Sequence, residues 1–158
     1  DSSTSRGLGD VYKRQVKHML SGNPLRPAYV ASGSPALPPG TPAGWTRYNG
    51  GIVRIGHDGN GFGFDNEGPA HDVLLAPFHL ADRLVTQHEY LAFIRDGGYK
   101  RPELWLSLGW DRVCAEGWRA PLYWEGQRDD WQVFTLRGMQ ELELQAPVTH
   151  ISLSLIHI

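Results

Sequence analysis

The stretch GGIVRIGHDGNGFGFDNEGPAHDVLLAPFHLADRLVTQHEYLAFIRDGGY, residues 50–99, decides the fold of this chain. It begins with a short run rich in β-branched residues at 51–56. The Asp-Gly and Asn-Gly pairs of residues 57–61 are typical of a turn, because they tolerate positive φ. Two further short strands are predicted at residues 71–75 and 77–81. Strands this short, separated by Gly- and Pro-rich turns, indicate an irregular sheet rather than a regular barrel.

The second half of the same stretch predicts a helix with a defined start and end. Thr86 and Glu89 have the spacing of a capping box, in which each side chain accepts a hydrogen bond from the backbone amide of the other. We expect the helix to run from Gln87 to about Asp96, because a Gly-Gly pair follows and supplies a left-handed stop. One broad apolar face is available for packing, formed by Tyr90, Leu91, Phe93 and Ile94.

Downstream of this helix, the pattern predicts a second helix and then a hairpin. Pro102 fits the first position of a short helix over residues 103–108, which Gly109 would end. Residues 122–125 and 131–136 are aromatic and β-branched runs on either side of a polar turn. These two runs are predicted to pair as a β-hairpin.

A last strand is predicted at residues 141–144, where polar and apolar side chains alternate. The sequence shows no internal repeat. Six Trp, 19 Gly and 11 Pro in 158 residues indicate a loop-rich protein with an aromatic core. The predicted fold class is therefore α+β, with short irregular strands and two helices.

The segment before residue 45 has a different composition. Residues 16–29, VKHMLSGNPLRPAY, begin like the end of a helix that stops at Gly22-Asn23-Pro24. Residues 30–44 consist of Ala, Ser, Gly, Pro and a few other small residues without charge, which predicts a semi-extended linker. A separate module is therefore expected to begin near Trp45 and to occupy residues 45–152.

Both ends of the chain carry a further pattern. Residues 5–15 spell SRGLGDVYKRQ, the in-frame translation of a common transposase-based sequencing adapter, and residues 153–158 spell LSLIHI, the translation of its reverse complement. Two complementary matches predict that residues 1–15 and 153–158 are foreign, as in a reading frame drawn across a short metagenomic insert. The alternative is that DVYKRQ is a charged surface segment and LSLIHI a buried strand.

Composition argues against several function classes. The formal net charge is -2 and the basic residues are scattered, whereas nucleic-acid-binding proteins usually carry a clustered basic face. No stretch approaches the roughly 18 apolar residues that a membrane span requires. Cys114 is the only cysteine, so an intrachain disulfide is impossible and a reducing, cytoplasmic location is favoured.

No catalytic or metal-binding motif stands out. The histidines outside the terminal segments lack the spacing of known metal sites, so structural or surface roles are favoured for His18, His57, His71, His79, His88 and His150. The acidic residues of the turn-rich stretch lack the calcium-loop pattern, and Asx turns and capping are the favoured roles of Asp58, Asp65, Glu67 and Asp72. The glycine-rich run at 59–63 lacks the following helix that a phosphate loop needs.

The chain nevertheless resembles a known family. Three features resemble the opening of the formylglycine-generating-enzyme-like (sulfatase-modifying factor) domain, which has a C-type-lectin-like fold. They are the glycine-flanked strand at 50–56, the F-D-x-E-x-P-x-H turn from Phe64 to His71, and the V-T-x-x-E-Y helix start at 85–90. Blocks at 96–110 and 120–124 and the NPLRPAY segment resemble the ergothioneine-forming sulfoxide synthases within that family. The resemblance implies that residues 16–29 end a DinB-like helical domain and that residues 45–152 are the N-terminal part only of the second domain.

The resemblance implies a non-haem iron enzyme that uses O₂ to join cysteine or γ-glutamylcysteine to hercynine as a sulfoxide. In that family three His of the helical domain hold Fe(II), and a Tyr late in the second domain assists proton transfer. The iron ligands and the catalytic Tyr do not map onto this chain, so we assign no catalytic, metal or substrate-binding residue and name neither Tyr90 nor His150 in such a role. The expected partners are small molecules, with no nucleic acid and no membrane. This chain alone is expected to be inactive.

Two alternatives stay open from the sequence. One is a formylglycine-generating enzyme, against which the NPLRPAY and GGYKRPELWLS blocks argue. The other is a non-catalytic ligand-binding domain, because this fold also serves as a binding scaffold. If only part of a domain is present, its aromatic core should be incompletely covered, so we expect partial exposure of Trp105, Trp110, Trp124 and Trp131.

Overall fold

The computed structural model describes residues 2–30, 43–127 and 130–156. Helices and short antiparallel strands alternate along these ranges, which confirms the predicted α+β class with short irregular strands. The chain divides into two compact units. Unit 1 comprises Asp1–Gly9 and Thr41–Arg83, and unit 2 comprises Asp10–Gly40 and Leu84–Ile158. Most of the predicted linker, residues 31–42, lies outside the described residues.

The first helix, α1, spans Ser2–Ser21. Its end agrees with the predicted stop, because the next residues form a turn in which the amide of Arg26 donates to the carbonyl oxygen of Asn23 at 2.9 Å. Residues 153–156 form a short helix, α4 (Leu153–Ile156), so the alternative of a buried strand there is wrong. The adapter origin of residues 1–15 and 153–158 stays a prediction.

Unit 1 contains two antiparallel strand pairs. β2 (Gly51–Ile55) pairs with β3 (His71–Leu75), and β1 (Trp45–Tyr48) pairs with β4 (Phe78–Ala81). The strands predicted at 51–56, 71–75 and 77–81 are confirmed. β1 was not predicted, since its four residues WTRY are too short a run to show a strand period.

The acidic residues of unit 1 organise its turns. The carboxylate of Asp58 accepts a hydrogen bond from the amide of Asn60 at 2.9 Å, which is an Asx turn. The carboxylate of Glu67 accepts a hydrogen bond from the amide of Phe64 at 2.9 Å and closes a 3₁₀ turn over Asp65–Glu67. For these two side chains the favoured structural role is confirmed.

The capped helix appears as predicted. α2 spans Gln87–Arg95, and the hydroxyl of Thr86 accepts a hydrogen bond from the amide of Glu89 at 3.3 Å. The carboxylate of Glu89 accepts one from the amide of Thr86 at 2.9 Å. Gly97 ends this region at φ 79°, the left-handed conformation that glycine adopts without steric cost.

The second predicted helix, over residues 103–108, is wrong. Pro102 starts only a 3₁₀ turn, Pro102–Leu104, and the next helix, α3, spans Ser107–Glu116. Trp105 separates the two because its backbone is extended, while its indole N–H donates to the carbonyl oxygen of Gly98 at 2.9 Å. A buried tertiary contact therefore overrides the local helix signal, and the helix stops at Gly117 instead of Gly109.

The predicted hairpin is confirmed and extended by one strand. β5 (Trp124–Gln127), β6 (Asp130–Thr135) and β7 (Gly138–Glu141) form an antiparallel sheet in that order. The strand predicted at 141–144 is wrong, because a tight turn at Thr135 brings the chain back earlier. The hydroxyl of Thr135 accepts from the amide of Arg137 at 3.0 Å and donates to the carbonyl oxygen of Gly138 at 3.2 Å.

The aromatic core lies in unit 2. Phe134 is fully buried, and Trp105, Trp124 and Trp131 are each at most 8% exposed. The expected exposure of these three indoles is therefore wrong, while Trp110 packs half-buried against the same cluster. The core also includes Tyr90, Leu91, Tyr99 and Val113. Unit 1 differs, since Ile52 and Leu74 face each other across β2 and β3 at 76% and 78% exposure.

Candidate functional site

Four polar side chains from distant parts of the sequence meet in unit 2. The ammonium nitrogen of Lys17, near the end of α1, lies 2.8 Å from Nε2 of His150. Nδ1 of His18 lies 3.2 Å from the hydroxyl of Tyr123. Lys17 also stands over the Tyr123 ring, with its nitrogen 4.4 Å from the ring centroid. We call Lys17, His18, Tyr123 and His150 the junction cluster.

The backbone of the junction cluster is unusual. Tyr123 has φ 73° and His150 has φ 63°, a left-handed conformation that is uncommon outside glycine. Their rings meet edge to face with centroids 4.9 Å apart, and the amide of Leu122 donates to the carbonyl oxygen of His150 at 3.1 Å. Two such residues in contact store strain of about 1–3 kcal/mol each, which often marks a functional position.

Partial burial acts on the pKa of two members of the junction cluster, Lys17 and His150. It lowers the pKa of the Lys17 ammonium. The pKa of the His150 imidazole is lowered mainly by burial and further by the nearby charges of Lys17 and Arg14. At neutral pH His150 is therefore uncharged, and its Nε2 accepts a hydrogen bond from the ammonium of Lys17.

The segment after α1 continues along the β5–β6–β7 sheet. The amides of Tyr29 and Val30 both donate to the carbonyl oxygen of Leu136, at 2.7 and 2.9 Å. Arg26 forms an ion pair with Glu125 on β5 and donates to the sulfur of Met139 on β7 at 3.4 Å. The junction cluster and this segment together fix residues 17–30 onto the sheet.

A large open cavity of about 840 Å³ lies beside the junction cluster. Lys17 and Val30 form one wall, the turn between β6 and β7 forms another, and Gln87, the first residue of α2, forms part of a third. The charged residues Arg137, Glu141 and Glu143 also line it. The cavity therefore combines charges of both signs with apolar surface.

Gln87, one of the residues that line this cavity, has a buried and unsatisfied polar atom. The residue is 9% exposed, and its Oε1 accepts no hydrogen bond from any group within residues 2–30, 43–127 and 130–156. Its backbone amide is paired, because it donates to the carbonyl oxygen of Ala146 at 2.8 Å. Buried polar atoms without a partner are rare in native proteins.

A second cavity, of about 380 Å³, lies on the other side of Tyr123 and His150. Its walls are mainly aromatic, formed by Tyr99, Trp105, Trp118 and Trp124. An arrangement of this kind suits a flat or apolar group rather than an ion.

Comparison with known proteins decides the family. Residues 38–154 match the sulfatase-modifying factor enzyme 1-like domain, which accounts for 117 of the 158 residues. The chain belongs to this family. The predicted fold, part of a formylglycine-generating-enzyme-like domain, is thereby confirmed.

Three relatives illustrate the range of this sulfatase-modifying factor family. The chain is 34% identical over 143 residues to hercynine oxygenase of Mycolicibacterium thermoresistibile, a match that covers 87% of this chain and 30% of that protein. It is 35% identical over 89 residues to hercynine oxygenase of Mycobacterium tuberculosis, a match that covers 56% of this chain and 20% of that protein. It is 36% identical over 74 residues to the formylglycine-generating enzyme of Streptomyces coelicolor, a match that covers 46% of this chain and 24% of that protein. The chain therefore spans less than a third of the length of these relatives.

The described part of this sulfatase-modifying factor chain does not fit an iron ion. Within residues 2–30, 43–127 and 130–156, no group of three or more His, Cys, Asp or Glu side chains is placed to hold a metal. His18 and His150 lie near each other through Tyr123, but their neighbours are Tyr and Lys rather than further metal ligands. We therefore derive no step of a reaction through iron on these residues. In the same part of the chain, no helix combines the length and apolar character needed to cross a bilayer.

Sequence reasoning missed the junction cluster. It assigned no role to Lys17 or Tyr123 and gave His18 and His150 structural or surface roles. Lys17 and His150 are 133 positions apart, so no local spacing joins them. The left-handed backbones of Tyr123 and His150 also have no signal in a single sequence, because neither residue belongs to an Asn-Gly or Asp-Gly type of turn.

Proposed function

We propose that this chain is part of a sulfoxide synthase of ergothioneine biosynthesis. The parent enzyme would use Fe(II) and O₂ to join cysteine or γ-glutamylcysteine to hercynine. One observation carries the proposal, namely the extent of the match to hercynine oxygenase. That match covers 87% of the chain, whereas the family domain covers 117 of 158 residues, so the similarity continues into residues before 38.

The residues before 38 lie outside the matched family domain. They include the end of α1 and the NPLRPAY segment, which packs on the β5–β6–β7 sheet through Tyr29 and Val30. The match to the formylglycine-generating enzyme covers 74 residues, fewer than the domain itself. The longer match therefore favours hercynine oxygenase chemistry.

The proposal gives this chain a structural role within the parent enzyme. Iron would be held by residues of the helical domain that this chain does not contain, and the open positions of the metal would supply the oxygenase chemistry. The described residues would contribute the wall of the second domain and, through the junction cluster, its attachment to α1. The substrates would be small molecules, and the single exposed cysteine, Cys114, favours a reducing, cytoplasmic setting.

The test is to recover the complete gene and assay its product. With Fe(II), hercynine and air, the parent enzyme should convert cysteine or γ-glutamylcysteine into the sulfoxide conjugate, detected by mass spectrometry. The 158-residue chain, assayed as the matched control, should give none. Sulfoxide formation by the 158-residue chain would contradict the structural role, and failure of the parent enzyme with both thiols would contradict the proposed function.

A formylglycine-generating enzyme is the second candidate, because the match to the Streptomyces coelicolor enzyme supports it. The complete gene separates the two. Conversion of a sulfatase-type peptide cysteine to formylglycine by the parent enzyme, without sulfoxide formation, would favour this second candidate.

A further inference from the structure

Unit 1 holds an asparagine whose surroundings favour a spontaneous change of its side chain. An asparagine converts to a succinimide when the backbone nitrogen of the next residue attacks its side-chain carbonyl carbon. The step is sterically easiest when the next residue is glycine, because no Cβ hinders the approach. It also needs a next-residue amide that is not held in a hydrogen bond and a backbone that can rotate. The four asparagines of the chain differ in how far they meet these conditions.

Two asparagines lack a reactive following amide. Asn23 precedes Pro24, which carries no backbone N–H. Asn66 precedes Glu67, whose amide donates to the carbonyl oxygen of Phe64 at 3.0 Å and whose side chain hinders attack. Neither asparagine should form a succinimide in the folded chain.

Asn49 precedes a glycine, but the backbone there is confined. Gly50 lies in the connection between β1 and β2, with φ 72°. A Cβ placed on Gly50 would clash with the carbonyl oxygen of Leu75 and with backbone atoms of Ala76 and Pro77. Rotation around this Asn-Gly bond therefore requires movement of the segment between β3 and β4, which opposes ring closure.

Asn60 precedes Gly61, and here the backbone is open. Gly61 has φ 83°, and a Cβ placed on it would meet no atom within 4 Å beyond its chain neighbours. Its amide donates no hydrogen bond to any group within residues 2–30, 43–127 and 130–156. Both residues are exposed, so water can supply and accept protons at this bond. Asn60 therefore meets each condition for ring closure.

The turn around Asn60 restrains its side chain only weakly. The backbone amide and Nδ2 of Asn60 donate to the two carboxylate oxygens of Asp58, at 2.9 and 3.1 Å. Water competes for the Nδ2 bond because both side chains are exposed, and that bond involves the nitrogen that leaves, not the carbon that is attacked. The amide of Gly59 is occupied instead, since it donates to Nδ1 of His57 at 3.0 Å. Isomerisation of Asp58 through the same kind of ring is therefore opposed.

We propose that Asn60 is a deamidation site at which the chain modifies itself. The amide nitrogen of Gly61, after losing its proton to a solvent base, forms a bond to the side-chain carbonyl carbon of Asn60. The bond from this carbon to Nδ2 breaks, and the nitrogen takes up protons from water and leaves as ammonia. Water then opens the succinimide to aspartate or isoaspartate, so the net change is uptake of a water molecule and loss of ammonia. The inference goes beyond the proposed function, since no metal, oxygen or substrate takes part.

The product alters the turn. Exchange of Nδ2 for an oxygen removes a donor to Asp58 and places a second carboxylate beside it, and isoaspartate also lengthens the backbone by a methylene group. Hydrogen bonds from the backbone and then the side chain of Asn60 are the main causes that hold the pKa of the Asp58 carboxyl below its ordinary value. That pKa should therefore rise on deamidation.

The experiment ages the complete 158-residue chain in mildly alkaline buffer and follows each asparagine by mass spectrometry of tryptic peptides. Trypsin separates Asn49, in residues 48–54, from Asn60, in residues 55–83, and fragment ions separate Asn60 from Asn66. In the folded chain Asn60 should deamidate at least about 10-fold faster than Asn49 and Asn66, because the fold hinders attack at the other two. In guanidinium chloride the rate at Asn49 should rise to that at Asn60, since both are Asn-Gly bonds.

Two glycine variants form a matched pair. Gly61→Ala places a methyl group next to the attacking nitrogen and should slow deamidation of Asn60 about 10-fold or more. Gly51→Ala, at another glycine with positive φ and open surroundings, carries similar backbone strain and should leave the rate at Asn60 unchanged. Far-UV circular dichroism reports whether each variant has remained folded, and the comparison in guanidinium chloride depends on neither variant.

Three results would overturn the proposal. The first is an equal rate of deamidation at Asn49 and Asn60 in the folded chain. The second is the absence of product at Asn60 after a period that converts it in guanidinium chloride, and the third is an equal effect of Gly61→Ala and Gly51→Ala on the rate at Asn60. All three leave the proposed function untouched, since that is tested by sulfoxide formation in the parent enzyme.

Discussion

The ammonium nitrogen of Lys17 lies 2.8 Å from Nε2 of His150, which joins the end of α1 to the segment that follows the β5–β6–β7 sheet. The contact requires an uncharged imidazole, because a protonated His150 has no lone pair on Nε2 and would repel the ammonium. The attachment of α1 is therefore coupled to the protonation of one histidine.

This coupling predicts a pH dependence of stability. Burial, Lys17 and Arg14 lower the pKa of folded His150 below its ordinary value of 6.5. Between these two pKa values the unfolded chain binds more protons than the folded chain, so the free energy of unfolding should fall as the pH is lowered through that window. The pKa can be measured from the ¹H chemical shifts of the imidazole, and stability from urea denaturation at each pH.

Lys17→Met is the informative variant for this prediction. It removes one of the causes that lower the pKa, so the pKa of His150 should rise but stay below its ordinary value, since burial remains. An imidazole that titrates at or above its ordinary pKa in the unsubstituted chain would contradict the geometry of the junction cluster.

The helix cap provides a second prediction. Thr86→Ala removes the hydroxyl that accepts from the amide of Glu89, and Thr86 is also buried. We expect a loss of about 0.5–2 kcal/mol in the free energy of unfolding, measured by urea denaturation followed through tryptophan fluorescence. Thr149→Ala, at an exposed position in the same unit, is the matched control and should have little effect. Equal stability of the two variants would contradict the capping role.

The elements that the sequence predicts well are those with local causes. The Thr86–Glu89 capping box, the Gly97 stop and the strand at 51–56 each depend on residues a few positions apart, and all three are confirmed. The errors arise from side-chain burial, which a local pattern does not show. Trp105 leaves the helical conformation to bury its indole in the core, so the predicted helix at 103–108 divides into a 3₁₀ turn and α3.

The candidate site is less predictable than the fold for the same reason. Lys17 and His150 become neighbours only after α1 and the sheet have packed, and Gln87 reveals its unpaired oxygen only in the folded chain. Family resemblance predicted the fold class but assigned no role to any residue of the junction cluster. A single sequence carries no pairwise signal over 133 positions.

The core provides a third prediction, on tyrosine ionisation. The hydroxyls of Tyr90 and Tyr99 share a hydrogen bond of 2.9 Å. Burial raises the pKa of Tyr99 to about 12, and burial together with Tyr99 raises the pKa of Tyr90 further. Absorbance at the phenolate band should therefore show Tyr90 and Tyr99 resisting ionisation when the pH passes 10. Partial burial also raises the pKa of Tyr123, so its phenol should ionise above the ordinary value as well.

The sign of the accompanying stability change follows from the same pKa values. Above pH 10 the folded chain retains phenol protons that the unfolded chain has lost, so the free energy of unfolding should fall as the pH rises. Tyr99→Phe should remove part of this fall, while Tyr48→Phe, at an exposed position in unit 1, should not change it. Ionisation of all six tyrosines in one step near pH 10, in the folded chain, would argue against a buried pair.

The unequal burial of the two units provides the last prediction. The cluster of buried core residues lies in unit 2. In unit 1, Trp45, Ile52 and Leu74 each have an exposed fraction above two-thirds. Apolar burial is the main stabilising term in folding, so unit 1 should open at a lower free energy than unit 2. Unfolding of the chain should then lack cooperativity, and exposed apolar surface should promote aggregation.

Hydrogen exchange measured by mass spectrometry tests this difference directly. Amides of β2 and β3 should exchange faster than those of β5 and β6, although both pairs are antiparallel and hydrogen-bonded. The reason is that Ile52 and Leu74 lie in solvent, whereas Trp124 and Phe134 lie in the core, so opening the first pair exposes little additional apolar surface. Equal protection of the two strand pairs, with one sharp and reversible thermal transition, would show instead that both units share a single cooperative core.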